Sequence, residues 1–284
     1  MLIKELNVII NIAASVDFNE RICDALQINY FGCIRMLQLA SECKNLSIYT
    51  HVSTCYVNCE KKGFIHEKIY DIEEDSEIIV NNIMKLTPEE QDTQLKTILG
   101  PWPNTYTYTK SMAERTLRKT KPAHLPVCIL RPSIIAASAK EPFPGWTDTL
   151  SAAGGLSVAG ASGVLNYINT KKDNISDIIP VDYVSNAIIV STVMCADKPG
   201  LTVVHSSSSH VNPVTWGEYL KYGFDFVTYQ PLSTQVFKPK IDFVQNKKQL
   251  LRKFYWRSEV PTAILDKVSR IPGISSPKLK KDVS

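Results

Sequence analysis

Apolar positions along the first 53 residues pass from an unbroken run to a helical period and back. Leu6-Asn-Val-Ile-Ile-Asn-Ile-Ala13 is an apolar run of strand length. Helical periodicity begins near Phe18: Ile22, Leu26, Tyr30, Ile34 and Leu37 recur at three or four residues, on one face of a helix ending near Lys44. Leu46-Ser-Ile-Tyr-Thr-His-Val-Ser53 is a second strand, rich in branched and aromatic residues. Strand, helix, strand, with strands that read as apolar runs, predicts an α/β fold: a parallel sheet buried on both faces and joined by crossover helices.

Residues 66–99 are polar and carry the acidic run Asp71 to Glu77, which predicts a surface excursion with one short helix between Pro88 and Leu99. After Pro101-Trp-Pro103 a helix is expected from Thr105 through Arg118, then a core strand, Leu125 to Arg131, stopped by Pro132. The uncharged stretch between Asp148 and Lys171 is too rich in Gly, Ser, Ala and Asn for a membrane span and reads as buried loop and helix. Tyr183 to Ala196 is too short to span and reads as a buried helix. Leu201 to Ser206 is a late strand, and Thr215-Trp-Gly-Glu218 opens a helix that leads into a basic tail. No internal repeat is apparent.

Composition adds one asymmetry. The formal charge of +4 divides into 12 Lys+Arg against 4 Asp+Glu in residues 238–284 and 20 against 24 before them. No finger, homeodomain or RNA-binding pattern surrounds the basic tail, so nucleic acid is not the expected partner and a solvated, partly helical tail is. Seven cysteines without a CxxC pair fit reduced intracellular thiols, and Cys55 with Cys59 lacks the further ligands of a zinc site. Triplets at Asn45 and Asn174 match the glycosylation pattern, but no leader pattern precedes them. None of the 12 glycines lies before Gly32.

The sharpest local chemistry is Tyr106-x-x-x-Lys110, because a spacing of four puts phenol and ammonium on one helix face. A cation there favours the phenolate, so Lys110 is expected to lower the Tyr106 pKa and ready it to give a proton to a carbonyl oxygen receiving hydride. Tyr108, two residues from Lys110, points elsewhere. Ser53 and Thr54 follow the second strand, at the carboxyl edge where open α/β sheets bind ligands; each can hold a carbonyl or satisfy a backbone group. Asn29 sits in an apolar helix and needs a partner, as a relay or as a structural hydrogen bond. The five histidines show no metal-ligand spacing, and Ser53 lies in no nucleophile elbow, so neither metal-dependent nor esterase chemistry is expected.

Taken in order, Asn11-x-Ala-Ala-Ser15, Asn29-Tyr-Phe-Gly32, His51-Val-Ser-Thr-Cys-Tyr56, Tyr106-Thr-Tyr-Thr-Lys110 and Leu130-Arg-Pro-Ser133 resemble the extended short-chain dehydrogenase/reductases. More narrowly, Phe18-Asn-Glu20, Pro103 to Lys110, Lys140-Glu-Pro-Phe-Pro-Gly-Trp146, Asp177-Ile-Ile-Pro-Val-Asp-Tyr183 and Asn212-Pro-Val-Thr-Trp216 resemble the alcohol-forming fatty acyl-CoA reductases of the male sterility type. The resemblance implies a Rossmann-like sheet and NADPH-dependent reduction of a long-chain acyl-CoA to an aldehyde and then to a primary alcohol. It implies that Tyr106 donates to the carbonyl oxygen, that Thr54, in preference to Ser53, hydrogen-bonds to it, that Lys110 binds the nicotinamide ribose, and that Asn29 supports a proton relay. Asn11, Ala13 and Ala14 are then expected on the adenosine and ribose side of the cofactor, Pro132, Ser133 and Ile134 on the nicotinamide side, and Pro142, Phe143 and Trp146 against acyl-CoA.

Two departures shape the expected organisation. Family members open with a Gly-x-x-Gly-x-x-Gly turn after a first strand, and this chain opens several elements later, so the fold is expected to lack the first glycine-rich βαβ unit and to expose a sheet edge. Asn11 stands where the family more often has His. Residues 1–225 are expected to be a partial NAD(P)-binding reductase domain with substrate loops, and residues 226–284 a basic, partly helical remnant of a C-terminal region. The resemblance, through its amphiphilic substrate, also implies an intracellular site at a peroxisomal or endoplasmic-reticulum membrane and peripheral membrane contact. A non-catalytic structural role for the truncated chain, or the chemistry of a related sterol or sugar-nucleotide dehydrogenase, is the competing expectation.

Overall fold

The computed structural model describes residues 2–149, 153–233 and 237–259. The chain forms two compact units, Met1–Asp148 with Asp177–Asn212 and Thr149–Ser176 with Pro213–Ser284. In the first unit, after a helical turn Leu2–Glu5, the main elements are, in chain order, β1 (Val8–Asn11), α1 (the successive helical segments Ile22–Ala25, Leu26–Phe31 and Gly32–Glu42), β2 (Ile48–Val52), α2 (Ser76–Lys85), α3 (Pro88–Leu99), α4 (Thr105–Thr120), β3 (Val127–Pro132), β4 (Ile134–Ala136), β5 (Ile178–Pro180), α5 (Val181–Cys195) and β6 (Leu201–Ser206). The main sheet runs β1-β2-β3-β6 with every pair parallel, and β4 pairs with β5 as a separate parallel ribbon. This is the Rossmann-like arrangement, with β1 at a free edge.

Alternation along β2 shows why the strands read as apolar runs. Tyr49 faces α1 and α4 with Ile22, Leu26, Leu37, Met112 and Leu117, whereas Ile48, Thr50 and Val52 face α5, where the Thr50 and Thr192 hydroxyls meet at 2.9 Å. Each fully buried Ile or Leu of these layers stabilises the fold by about 1.5–3 kcal/mol relative to exposure. β1 is covered on one side only: Ile9 and Asn11 are buried, while Val8 and Ile10 are exposed. β1 is thus a free sheet edge covered on one face.

Several expectations need correction. The surface excursion of residues 66–99 holds two helices, because Val80 and Ile83 give α2 a buried stripe that the preceding acidic run disguises. The Asp75 side chain caps α2, and a Thr87–Glu90 capping box with Pro88 opens α3. Helix α5 is half-buried: Val184, Ile188 and Cys195 pack inward, but Ile189, Val190, Val193 and Met194 are exposed. Pro132 is the last paired residue of β3 rather than the residue that stops it, and the chain changes sheet at Ser133. The expected boundary at 225/226 falls inside the helix Trp216–Tyr229 of the second unit.

The second unit contains the helix Ala153–Ala161, a ribbon of Tyr167–Ile168 with Asp242–Phe243, the helix Trp216–Tyr229 and the helix Lys247–Phe254. The Gly/Ser-rich stretch is thus partly helical, with Ala153 and Gly160 buried and Val158 exposed. The partly helical remnant expected over 226–284 is helical at Lys247–Phe254, and its residues 260–284 lie outside the described residues.

Candidate active site

The candidate residues converge where the carboxyl ends of β1, β2 and β3 meet the first turns of α4. Asn104 opens α4 by accepting the Thr107 N–H at 2.9 Å, which sets the helix phase and places Tyr106, Lys110 and Glu114 at successive turns of one face. Lys110 is 2% exposed, and its Nζ donates to the Val52 carbonyl at 2.8 Å. Burial pulls its pKa down to about 8, opposed by Cys33 and Glu114. Tyr106 is half-buried, with the Phe18 ring 5.7 Å away. Its pKa is raised, by burial, with the Thr54 hydroxyl acting in the opposite sense. The expectation that Lys110 lowers the phenol pKa is therefore corrected: the ammonium is turned to a backbone carbonyl, and desolvation dominates the phenol.

Thr54 caps a short turn, Cys55–Asn58, accepting the Tyr56 N–H at 3.3 Å and donating to the Pro132 carbonyl at 3.5 Å. Its hydroxyl thus bridges the ends of β2 and β3 beside the phenol. Ser53 and Ser133 end these neighbouring strands, Ser53 N–H donating to the Leu130 carbonyl and Ser133 N–H to the Ser206 carbonyl. Both hydroxyls are buried and have no protein partner. A buried, unpaired hydroxyl costs about 1–3 kcal/mol, and these two, at the ends of neighbouring strands, are free to bond a polar group brought there. Pro132 is buried and Ile134 half-buried beside them.

Asn29 lies in a π turn, Leu26–Phe31, that interrupts α1. Its Oδ1 accepts the Ser15 N–H at 2.9 Å, and its Nδ2 donates to the Ser15 carbonyl at 3.0 Å and to Thr109 Oγ1 at 3.1 Å. The side chain therefore clamps the loop after β1 onto α4, and its donors are spent inside the protein. That loop carries exposed Ala13 and half-buried Ala14. Asn11 turns inward instead, donating from Nδ2 to the Tyr49 hydroxyl at 3.0 Å and meeting His51 Nδ1 at 3.4 Å. Burial, with Lys110 nearby, holds the His51 pKa well below its usual value, so the imidazole is neutral.

The loop of the expected acyl-CoA contacts is anchored by a residue whose role the sequence reading did not assign. The buried Asp182 carboxylate accepts the backbone N–H groups of Ala139 and Lys140 at 2.9 Å and of Glu141 at 3.3 Å. Burial raises its pKa, but these donors prevail and the net shift is downward. Ser138 closes the loop, donating from Oγ to the Phe143 carbonyl and from N–H to the Trp146 carbonyl. Pro142 and Phe143 are exposed, and Trp146 is half-buried. An acid directly after Pro180-Val181, at a helix start, was the available signal.

Comparison with known proteins gives this geometry a lineage: the family described as "Male sterility protein" matches residues 1–188, well over half of the chain. The chain belongs to the male-sterility-type fatty acyl-CoA reductase family. Among curated members, "Probable fatty acyl-CoA reductase 5" of Arabidopsis thaliana is 35% identical over 82% of this chain and 52% of its own length. "Fatty acyl-CoA reductase 1" of Rattus norvegicus is 34% identical over 96% of this chain and 53% of its own length. The chain thus spans about half the length of the fatty acyl-CoA reductases it matches. Among solved structures, the terminal R domain from the myxalamid PKS-NRPS biosynthetic pathway superposes with a TM-score of 0.60 at 19% identity, covering 97% of this chain and 60% of that one. "MoeE5 in complex with UDP-glucose and NAD" superposes with a TM-score of 0.56 at 15% identity, covering 86% and 68%. These likenesses show a Rossmann-type α/β fold. Among the described residues no group of three or more His, Cys, Asp or Glu is placed to hold a metal, and no helix is long and apolar enough to cross a membrane.

Proposed function

We propose that this reductase-family chain carries the reducing centre of an NADPH-dependent conversion of long-chain fatty acyl-CoA to fatty alcohol through an aldehyde. The observation that carries the reading is the convergence of Tyr106, Thr54 and Lys110 beside the unpaired hydroxyls of Ser53 and Ser133. Those residues fit the nicotinamide half of the cofactor: Lys110 has donors beyond the one given to Val52, and the strand-end hydroxyls await polar partners. Asn11 has its amide donors engaged inside the protein, which leaves Ala13 and Ala14 as the better contacts on the ribose side. NADPH supplies the hydride.

Negative charge then develops on the thioester carbonyl oxygen, where Tyr106 donates its proton and Thr54 its hydrogen bond. Collapse of the hemithioacetal returns that proton to the Tyr106 phenolate as coenzyme A leaves as the thiolate, which gives the aldehyde. A second hydride builds an alkoxide at the same oxygen position, and Tyr106, recharged with a proton, gives the alcohol. Lys110 holds the ribose and keeps positive charge under the site. Phe143 and Trp146, on the loop pinned by Asp182, contact the acyl-CoA. Because the substrate is amphiphilic, the proposal places the reaction at a peroxisomal or endoplasmic-reticulum membrane. The direct test incubates the chain with NADPH and palmitoyl-CoA and follows NADPH oxidation and hexadecanol. Tyr106→Phe is expected to lower the rate by about 10²–10⁴-fold with folding intact; equal rates in the two chains count against the assignment.

A further inference from the structure

The most heavily buried charges of the first unit are used by none of the steps above. Arg131 is completely buried, and Glu114, its partner, is 1% exposed. The guanidinium grips the carboxylate in a two-pronged pair, Nε to Oε1 at 2.9 Å and Nη2 to Oε2 at 2.6 Å. Nη2 also donates to the Lys68 carbonyl at 3.1 Å, and Nη1 to His205 Nε2 at 3.2 Å. Since arginine only donates, His205 accepts through Nε2 and is neutral; burial and the guanidinium push its pKa down accordingly. The Arg131 carbonyl accepts from Cys55 Sγ, in the turn that Thr54 caps. One residue therefore touches α4, β6, the segment before α2 and the Thr54 turn.

Stability is a poor reason for such a pair, because apolar side chains of similar volume usually serve a core as well or better. Its place in the sequence suggests another reason. Glu114 stands one helical turn beyond Lys110 and two beyond Tyr106, and Arg131 directly precedes Pro132 and Ser133. The titratable and charged groups facing Lys110 are Cys33 from α1, His51 from β2 and Glu114 from its own helix. Cys33 can balance the ammonium only as a thiolate, and burial pushes its thiol up to about 11; His51 is neutral. Near neutral pH the anion among them is Glu114.

We propose that the Glu114–Arg131 pair is the positioning element of the reducing centre: it fixes the Tyr106–Lys110 face of α4 against the Pro132–Ile134 strand end and supplies the carboxylate that balances the Lys110 ammonium. The role deepens the reductase reading and rests on it for its catalytic meaning, but its physical content is measurable without substrate. The experiment titrates Lys110 by NMR in the full chain with 13C-labelled lysine, the resonance assigned by its loss in Lys110→Arg.

The wild-type midpoint is expected near pH 8. It is expected to move to lower pH in Glu114→Gln and in the double variant Glu114→Leu/Arg131→Met, which keeps the volume apolar so that folding does not depend on the pair. Arg131→Lys keeps both charges but loses the fork. It is expected to hold the midpoint near the wild-type value while lowering kcat for acyl-CoA reduction at least tenfold, with KM changed less than twofold. An unmoved midpoint in a folded Glu114→Gln or double variant overturns the proposal. So does failure of the double variant to fold, which would make the pair a requirement of the unit. If the wild-type chain oxidises no NADPH, the reductase reading fails while the titration still decides the charge-balancing role.

Discussion

Lys110 is an ammonium placed where water does not reach, and its behaviour follows from that cost. Burial draws its pKa to about 8, whereas the half-buried Tyr106 phenol is raised, so as pH climbs Lys110 is the first of the two to lose its proton. If the charge under the site holds the cofactor, kcat/KM is expected to fall about tenfold per pH unit above about pH 8. Unfolding does not explain such a limb. A lysine whose folded pKa lies below its unfolded value of about 10.4 adds stability as pH rises between the two values, because there the unfolded chain binds more protons. A midpoint above 10 would transfer the limb to Tyr106. The four-residue spacing of this pair was legible in the sequence, but the direction of the phenol shift was not. Spacing fixes which helix face two groups share; burial and the Val52 carbonyl, which arrive through the tertiary fold, decide which way each titrates.

Elements with one unambiguous period were legible, and those whose period is masked were not. Helix α3 has the expected bounds, Pro88–Leu99, because Pro88 and the Thr87 cap mark its start and Gly100 its end. Helix α2 was missed because its apolar stripe is short and follows a run of acids, and the π turn in α1 leaves no mark in composition. Helix α5 misleads in the other direction: an apolar segment was read as buried when half of it faces outward. The helix Lys247–Phe254 is where we propose to test peripheral membrane contact. Leu251, Phe254, Tyr255 and Trp256 are exposed among Lys247, Lys248, Arg252, Lys253 and Arg257, with no carboxylate between Asp242 and Glu259. Such a helix suits an anionic bilayer surface. Co-sedimentation with phosphatidylserine-containing vesicles is expected and should weaken several-fold in Leu251→Asp. Equal recovery on phosphatidylcholine vesicles would remove the electrostatic part of the explanation.

At the scale of the whole chain, the sheet of the first unit is covered unevenly at its β1 edge. Val8 and Ile10 of β1 are in register with Ile48 and Thr50 of β2. The β2 pair lies under α5, whereas Val8 and Ile10 are 44% and 40% exposed. Parallel sheets are ordinarily covered on both faces, and a free strand edge with apolar side chains is a template for pairing with another chain. The chain spans about half the length of the fatty acyl-CoA reductases it matches. The expected consequence is self-association of the isolated chain through β1. A charge at Ile10 should suppress it, because a lysine there keeps its ammonium in water on the exposed face and makes close pairing costly. Ile10→Lys is therefore expected to shift the chain from high-mass species to monomer in size-exclusion chromatography with light scattering. Since Ile10 is already 40% exposed, thermal stability is expected to change by less than about 1 kcal/mol. An unchanged mass distribution would place the association elsewhere, with the outward face of α5 as the next surface to test.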